Sequence, residues 1–151
     1  MGVESTIVGF EDERPVVYRL GGVSVEELQR LCEQPVRVEL NQSSNPAAPG
    51  MLKSHYAPSK PLYLLEVGAP LPQSGPRVGL ISLVPRPSAG AGVEVSLCPS
   101  GLVEPGEAAR RLFAALRTMD SAECDVIYAE KCPEEGLGRA VNDRLKRAAT
   151  K

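Results

Sequence analysis

Two short runs of apolar and β-branched residues stand near the start of the chain. The runs ESTIV and VVYRL flank the polar, turn-forming segment GFEDERP, which predicts a pair of strands over residues 4–19. A helix follows, because Ser24 can cap its first turn and Glu27, three residues on, completes a capping box. Three apolar residues at helical spacing give this helix a stripe: Val25, Leu28 and Leu31.

Periodicity then disappears over residues 36–61, which contain the polar run NQSSN and prolines at positions 46, 49, 58 and 61. Two strands and one short helix cannot bury enough apolar surface to offset the entropy of ordering them. We therefore predict that residues 1–35 are the end of a larger domain and that residues 36–60 are an interdomain linker.

A second pattern begins at Pro61. Three short β-rich runs, PLYLLEV, RVGLISLV and VEVSLC, precede a helix over PGEAARRLFAALRTMD, a strand DVIYAE and a closing helix LGRAVNDRLKRAA. Since a crossover helix joins parallel strands, residues 61–151 are predicted to form a small, mostly parallel, Rossmann-like sheet with flanking helices. The predicted fold class is α/β. The first helix is expected to bury one face: Ala108, Leu112, Ala115, Leu116 and Met119.

The composition of the chain and the motifs that it lacks exclude several classes of function. The 151 residues are 42% hydrophobic and 24% charged, as in globular proteins, and the net charge of -2 gives no electrostatic footprint for nucleic acid. The chain has four cysteines, without a CxxC pair, and a single histidine. This pattern indicates neither a zinc site nor a redox dithiol. No dinucleotide fingerprint or Walker loop is present. The absence of a signal peptide and of a long apolar run predicts a cytoplasmic protein.

Four motifs in order resemble one family. GVESTIV, VYRLGGV, APGMLKSHYAP and EEGLGRAVNDRLKRAA are similar to segments of the L-threonylcarbamoyladenylate synthases, which join a YrdC-like catalytic domain to a Rossmann-like domain. Gly9, Leu20 and Ala48 depart from the usual Asp, Pro and Ser of that family. The resemblance implies that residues 1–35 are the C-terminal remnant of the YrdC-like domain, whose larger part is expected to precede residue 1.

The resemblance also implies a reaction. The family condenses L-threonine, bicarbonate and ATP, with Mg²⁺, to threonylcarbamoyl-AMP and pyrophosphate, the first step toward threonylcarbamoyladenosine in tRNA. Its partners are the missing N-terminal catalytic domain and, downstream, other tRNA-modification proteins. Because the cations that cradle the phosphates belong to that catalytic domain, the 151 residues alone are expected to be inactive. Neither a catalytic acid or base nor a metal ligand is assigned within them.

Four residues are the candidate site. By the resemblance, the Ser5 hydroxyl is expected to bind L-threonine. Arg19, beside two glycines that permit close backbone approach, has a planar guanidinium that fits the phosphates of ATP. The linker is expected to act as a lid in which Tyr56 and His55 contact the nucleotide, by stacking or by hydrogen bonds.

Three other interpretations stay open. The linker can instead be pinned structurally by Tyr56. The chain can be a non-catalytic module that senses a small molecule or docks a partner, with its ligand at the carboxyl ends of the strands beyond Pro61. Direct RNA binding is the weakest of the three, because only the local basic run near the end supports it. That interpretation uses four cations: Arg139, Arg144, Lys146 and Arg147.

Overall fold

The structure, a computed structural model, describes residues 3–40 and 57–149. Strands β1 (Ile7–Glu11) and β2 (Arg14–Arg19) form an antiparallel hairpin, and β3 (Arg37–Val38) lies parallel to β2 at the edge of this sheet. The predicted strand pair is therefore confirmed. The structure adds β3 within the stretch that the aperiodic sequence leaves without elements.

Helix α1 (Val25–Leu31) begins as predicted, since the Ser24 hydroxyl accepts from the Glu27 amide and the Glu27 carboxylate accepts from the Ser24 amide. The predicted apolar stripe is only partly right. Val25 and Leu28 pack against the core, whereas Leu31 is 84% exposed. The helix ends at Leu31 and the chain turns extended at Cys32, so the last position of the stripe has no surface to cover.

Residues beyond the linker form a four-stranded, all-parallel sheet with strand order β4-β7-β5-β6. Its strands are β4 (Leu62–Leu65), β5 (Val78–Ser82), β6 (Val93–Ser96) and β7 (Val126–Glu130), and its helices are α2 (Pro105–Ser121) and α3 (Gly138–Ala149). The predicted α/β class and Rossmann-like sheet are confirmed.

The two faces of this sheet differ. Gly79, Ile81, Ile127 and Ala129 point toward α2 and α3, because alternate residues of a strand lie on opposite faces. The α2 residues on that side are all buried as predicted, with Ala109 in addition: Ala108, Ala109, Leu112, Ala115, Leu116 and Met119. Val78, Leu80 and Val126 face the other way and pack under Leu71 and the loop around Ala89.

The main core is continuous between the two parts of the chain. Val3, Val17 and Leu20 belong to the same buried cluster as Leu112 and Leu145. The segment before the linker is thus packed against the Rossmann-like domain, which places its polar residues beside α3. The domain boundaries at residues 35 and 60 stay predictions.

Candidate functional site

The candidate site is built on a close backbone crossing between residues 4–6 and residues 21–23. A Cβ on Gly21 would lie 2.3 Å from the Glu4 carbonyl oxygen and 2.4 Å from the Thr6 nitrogen, so only glycine fits there. The Gly22 amide donates to the Glu4 carbonyl at 3.0 Å. The Thr6 hydroxyl accepts from the Val23 amide (3.0 Å) and donates to its carbonyl (2.6 Å), which ties the two segments together.

This crossing brings Ser5 and Arg19 into contact. Arg19 ends β2 and is only 8% exposed, and its Nε donates to the Ser5 carbonyl at 3.0 Å. Its Nη2 donates to the Ser5 hydroxyl at 3.2 Å. The two predicted residues therefore form one polar cluster, although they are separated by fourteen positions in the chain.

The cluster has the chemistry of an anion site. A guanidinium is charged at any physiological pH and offers a fork of donors that matches carboxylate and phosphate oxygens. The Ser5 hydroxyl accepts from Arg19 and can still donate its own proton to a ligand. Ser5 is exposed, whereas Arg19 is only 8% exposed, so the Ser5 hydroxyl is the more accessible of the two groups to a ligand.

Glu4 completes the cluster and is not among the four residues predicted from the sequence. Its Oε2 accepts from Arg19 Nη1 at 3.4 Å, and its Oε1 accepts from Arg144 Nε of α3 at 3.3 Å. Arg144 in turn donates from Nη1 to Asp143 at 3.0 Å, and Arg147 Nε donates to the same carboxylate oxygen at 2.9 Å. In the sequence, the sign of this arrangement is Asp143 followed by Arg144 and, four positions on, by Arg147, a spacing that lets one carboxylate pair with both guanidinium groups.

The RNA-contact interpretation is wrong in this structure for two of its four residues. Arg144 is 0% exposed and Arg147 is 2% exposed, and both are bound to Asp143. They are buried because α3 packs them against the segment before the linker. Arg139 and Lys146 form ion pairs with Glu26 and Glu134. The basic run is therefore not a continuous cationic surface.

His55 and Tyr56 lie outside the described residues. Their predicted contacts with the nucleotide stay predictions.

A cavity of about 500 Å³ lies at the carboxyl ends of β4, β5 and β7, where the module interpretation places a ligand. Its polar lining includes Glu66, Lys131, Glu134 and Asn142. Lys131 pairs with Glu66 at 2.6 Å, and the Asn142 amide is bound to both backbone groups of Cys132. Burial raises the pKa of the Cys132 thiol to about 12, so that thiol stays protonated and is no nucleophile at neutral pH.

Comparison with known proteins identifies the family of this chain. Residues 23–150 match the family described as threonylcarbamoyl-AMP synthase, C-terminal domain. The chain belongs to this family. It is 33% identical to the threonylcarbamoyl-AMP synthase of Bacillus subtilis, with 99% of this chain and 46% of that protein covered. It therefore spans about half the length of the curated relatives it matches.

Solved structures of the family agree in fold. The crystal structure of Sua5 from Pyrococcus abyssi complexed with L-threonine superposes with a TM-score of 0.80 at 33% identity, covering 98% of this chain and 46% of that one. A P. abyssi Sua5 variant with alanine in place of an adjacent histidine and tyrosine gives a TM-score of 0.77 at 30% identity, covering 98% and 45%. The family assignment is therefore supported by both the sequence and the three-dimensional structure.

Within the family's matched region, the residues that the structure describes hold no group of three or more His, Cys, Asp or Glu side chains that could bind a metal ion. In the same described part of the chain, no helix is long and apolar enough to cross a membrane.

The ion pair between Arg139 and Glu26 gives a prediction about how stability depends on pH. Arg139 Nη1 donates to Glu26 at 2.7 Å and the Gly136 amide donates at 3.0 Å, and these bonds lower the pKa of Glu26 from 4.5 to about 2. A lowered pKa stabilises the fold above about pH 4.5, and the gain is lost as the pH falls toward 2. Both side chains are partly exposed, so the gain stays below about 1 kcal/mol.

We therefore expect Glu26→Gln to shift the urea midpoint down slightly at pH 7, with the difference narrowing at pH 4 and again at pH 3. Glu135→Gln, an exposed glutamate in the neighbouring loop, is the control and should show no such trend. A difference between the wild-type protein and Glu26→Gln that stays constant over this range would refute the ion pair.

Proposed function

We propose that this chain is the C-terminal part of an L-threonylcarbamoyladenylate synthase. The protein to which it belongs makes threonylcarbamoyl-AMP and pyrophosphate from L-threonine, bicarbonate and ATP, for the modification of tRNA. The observation that carries the proposal is the Arg19 guanidinium held on Ser5, in a chain 33% identical over 99% of its length to a threonylcarbamoyl-AMP synthase. The L-threonine in the P. abyssi complex supports the threonine part.

In this proposal Arg19 neutralises charge on the adenylate, and Ser5 orients L-threonine through its hydroxyl. The threonine amine and bicarbonate first condense to a carbamate with loss of water. A carbamate oxygen then attacks the α-phosphorus, the bond from that phosphorus to the bridging oxygen breaks, and pyrophosphate leaves. Such a step needs positioning and charge neutralisation more than a covalent nucleophile. Mg²⁺ bound to ATP is part of the proposal and would offset charge on the phosphates.

The catalytic YrdC-like domain is a partner in the proposal, and it supplies the further cations that the phosphates need. The 151 residues alone are accordingly expected to release no pyrophosphate in a threonine- and bicarbonate-dependent manner. All activity measurements below refer to the protein with its catalytic domain.

The proposal is tested by Arg19→Gln. We expect this change to reduce threonine- and bicarbonate-dependent pyrophosphate release by roughly a hundredfold, because a charge-assisted contact to phosphate is lost. Arg37→Gln is the matched control, since Arg37 lies on the same small sheet but is exposed and pairs only with Glu11 and Glu39 among described residues. Equal activity in Arg19→Gln and Arg37→Gln would remove Arg19 from the site.

The linker prediction concerns Tyr56. We expect Tyr56→Ala to impair adenylate formation with little change in melting temperature, since loss of an aromatic stack on a base costs about 1–3 kcal/mol. Tyr56→Phe separates the roles: Phe keeps most activity if the ring stacks, and falls toward Ala if the hydroxyl binds a phosphate. A large drop in melting temperature with unchanged turnover in Tyr56→Ala would instead identify Tyr56 as a structural anchor.

A further inference from the structure

The carboxylate of Glu4 connects two elements that are far apart in the chain. One oxygen binds Arg19 in the candidate site (3.4 Å) and the other binds Arg144 on α3 (3.3 Å), across 140 residues of sequence. Glu4 lies next to Ser5, whose carbonyl and hydroxyl both receive hydrogen bonds from Arg19. The position of the Arg19 guanidinium therefore depends on a carboxylate that α3 also holds.

Arg144 is itself fixed within α3. Its side chain is 0% exposed, and its Nη1 binds Asp143 at 3.0 Å. Asp143 also accepts a hydrogen bond from Nε of Arg147, which lies four positions further along the helix, at 2.9 Å. Because a buried, multiply bonded guanidinium has few alternative rotamers, a displacement of α3 would be passed to Glu4.

The charged side chains of this cluster support one another. Among the described residues, three guanidinium groups, of Arg19, Arg144 and Arg147, contact two carboxylates, of Glu4 and Asp143, and these five side chains together have a formal charge of +1. Arg144 holds the Glu4 carboxylate from the side of α3. Without Arg144, Glu4 would lose this contact, and the Arg19 guanidinium would lose part of the support that fixes its place against Ser5.

We propose that Arg144 is a positioning residue of the synthase: through Glu4 it sets the place of the Arg19 guanidinium. The Rossmann-like domain thereby contributes to nucleotide binding without touching the nucleotide. This inference rests on the proposed function, in which Arg19 binds the adenylate.

The test is a double-mutant cycle in the protein with its catalytic domain, with KM for ATP and kcat measured at saturating L-threonine and bicarbonate. We expect Arg144→Gln and Glu4→Gln each to raise KM for ATP by roughly fivefold or more, and the double variant to be no worse than either alone, because both act through one contact. Arg144→Lys keeps the charge and should recover part of the loss.

Arg139→Gln is the matched control. It removes another ion pair between α3 and the segment before the linker, that with Glu26, and Glu26 has no hydrogen bond to Arg19 or Ser5 among those of the described residues. Its KM for ATP should change less than twofold. An equal rise in Arg139→Gln and Arg144→Gln, or effects of Arg144→Gln and Glu4→Gln that multiply in the double variant, would overturn the inference.

The outcomes separate this inference from the proposed function. If Arg19→Gln leaves pyrophosphate release intact, the proposed role of Arg19 fails. If Arg19→Gln is impaired but Glu4→Gln and Arg144→Gln bind ATP normally, only the positioning role fails. Should Arg144→Gln not fold, Glu4→Gln, which changes a partly exposed side chain, decides by the same KM measurement.

Discussion

We expect the Glu130→Leu substitution to lower the free energy of unfolding by about 3–5 kcal/mol. Glu130 ends β7 and is 0% exposed, and its carboxylate accepts from the Leu83 amide (2.8 Å), the Gly68 amide (2.8 Å) and Arg86 Nη1 (2.9 Å). Leucine fills a similar volume but accepts none of these bonds. The Arg86 guanidinium and a buried amide would then lose their partner, and both loops at the strand ends would lose their anchor.

Two controls make this expectation specific. Glu130→Gln keeps the shape and one acceptor, so its loss should be intermediate. Glu66→Gln removes the exposed ion pair with Lys131 at the same edge of the sheet and should cost less than about 1 kcal/mol. Urea unfolding of the three variants at pH 7 is the measurement. A loss in Glu130→Leu no larger than in Glu66→Gln would show that the buried carboxylate does not hold these loops.

The second large effect is expected at Gly21. A methyl group there would lie within 2.4 Å of three backbone atoms, of Glu4, Ser5 and Thr6, and backbone cannot move aside as a flexible side chain can. We expect Gly21→Ala to lower the free energy of unfolding by about 1–3 kcal/mol through overpacking. It should also remove most threonine-dependent pyrophosphate release, because the same crossing holds Ser5 against Arg19.

Gly22→Ala is the matched control at the adjacent position. A Cβ on Gly22 meets no heavy atom of the described residues within 4 Å, so stability and pyrophosphate release should both stay close to those of the wild-type protein. Thermal unfolding and the pyrophosphate assay on the two alanine variants give the comparison. Equal behaviour of Gly21→Ala and Gly22→Ala would contradict the crossing on which the site is built.

Sequence patterns predict the regular elements of this protein well, and the reasons are local. The capping box of α1 lies within four residues, and the buried face of α2 repeats at helical spacing. The resemblance identified Ser5 and Arg19, which the fold then places in contact. Leu31 shows where a local pattern stops: its position continues the stripe, but no core surface reaches it.

Contacts between distant segments are what the sequence could not show. In the sequence, nothing distinguishes Glu4 from other acidic residues near a strand, or Arg144 from the other cations of the basic run. Only the packing of α3 against the segment before the linker buries Arg144 and gives both residues a common role. The role of Glu130 could not be predicted for the same reason, because its hydrogen-bond donors lie in loops 47 and 62 residues earlier in the chain.

The most direct test of the central claim is to map where the nucleotide and L-threonine bind. Hydrogen–deuterium exchange of the protein with its catalytic domain, with and without ATP, L-threonine and bicarbonate, reports on both candidate regions at once. The account predicts protection of residues 3–6 and 19–23 with unchanged exchange at residues 131–137. Protection confined to residues 131–137, at the carboxyl ends of the strands, would contradict it and favour the ligand-sensing interpretation.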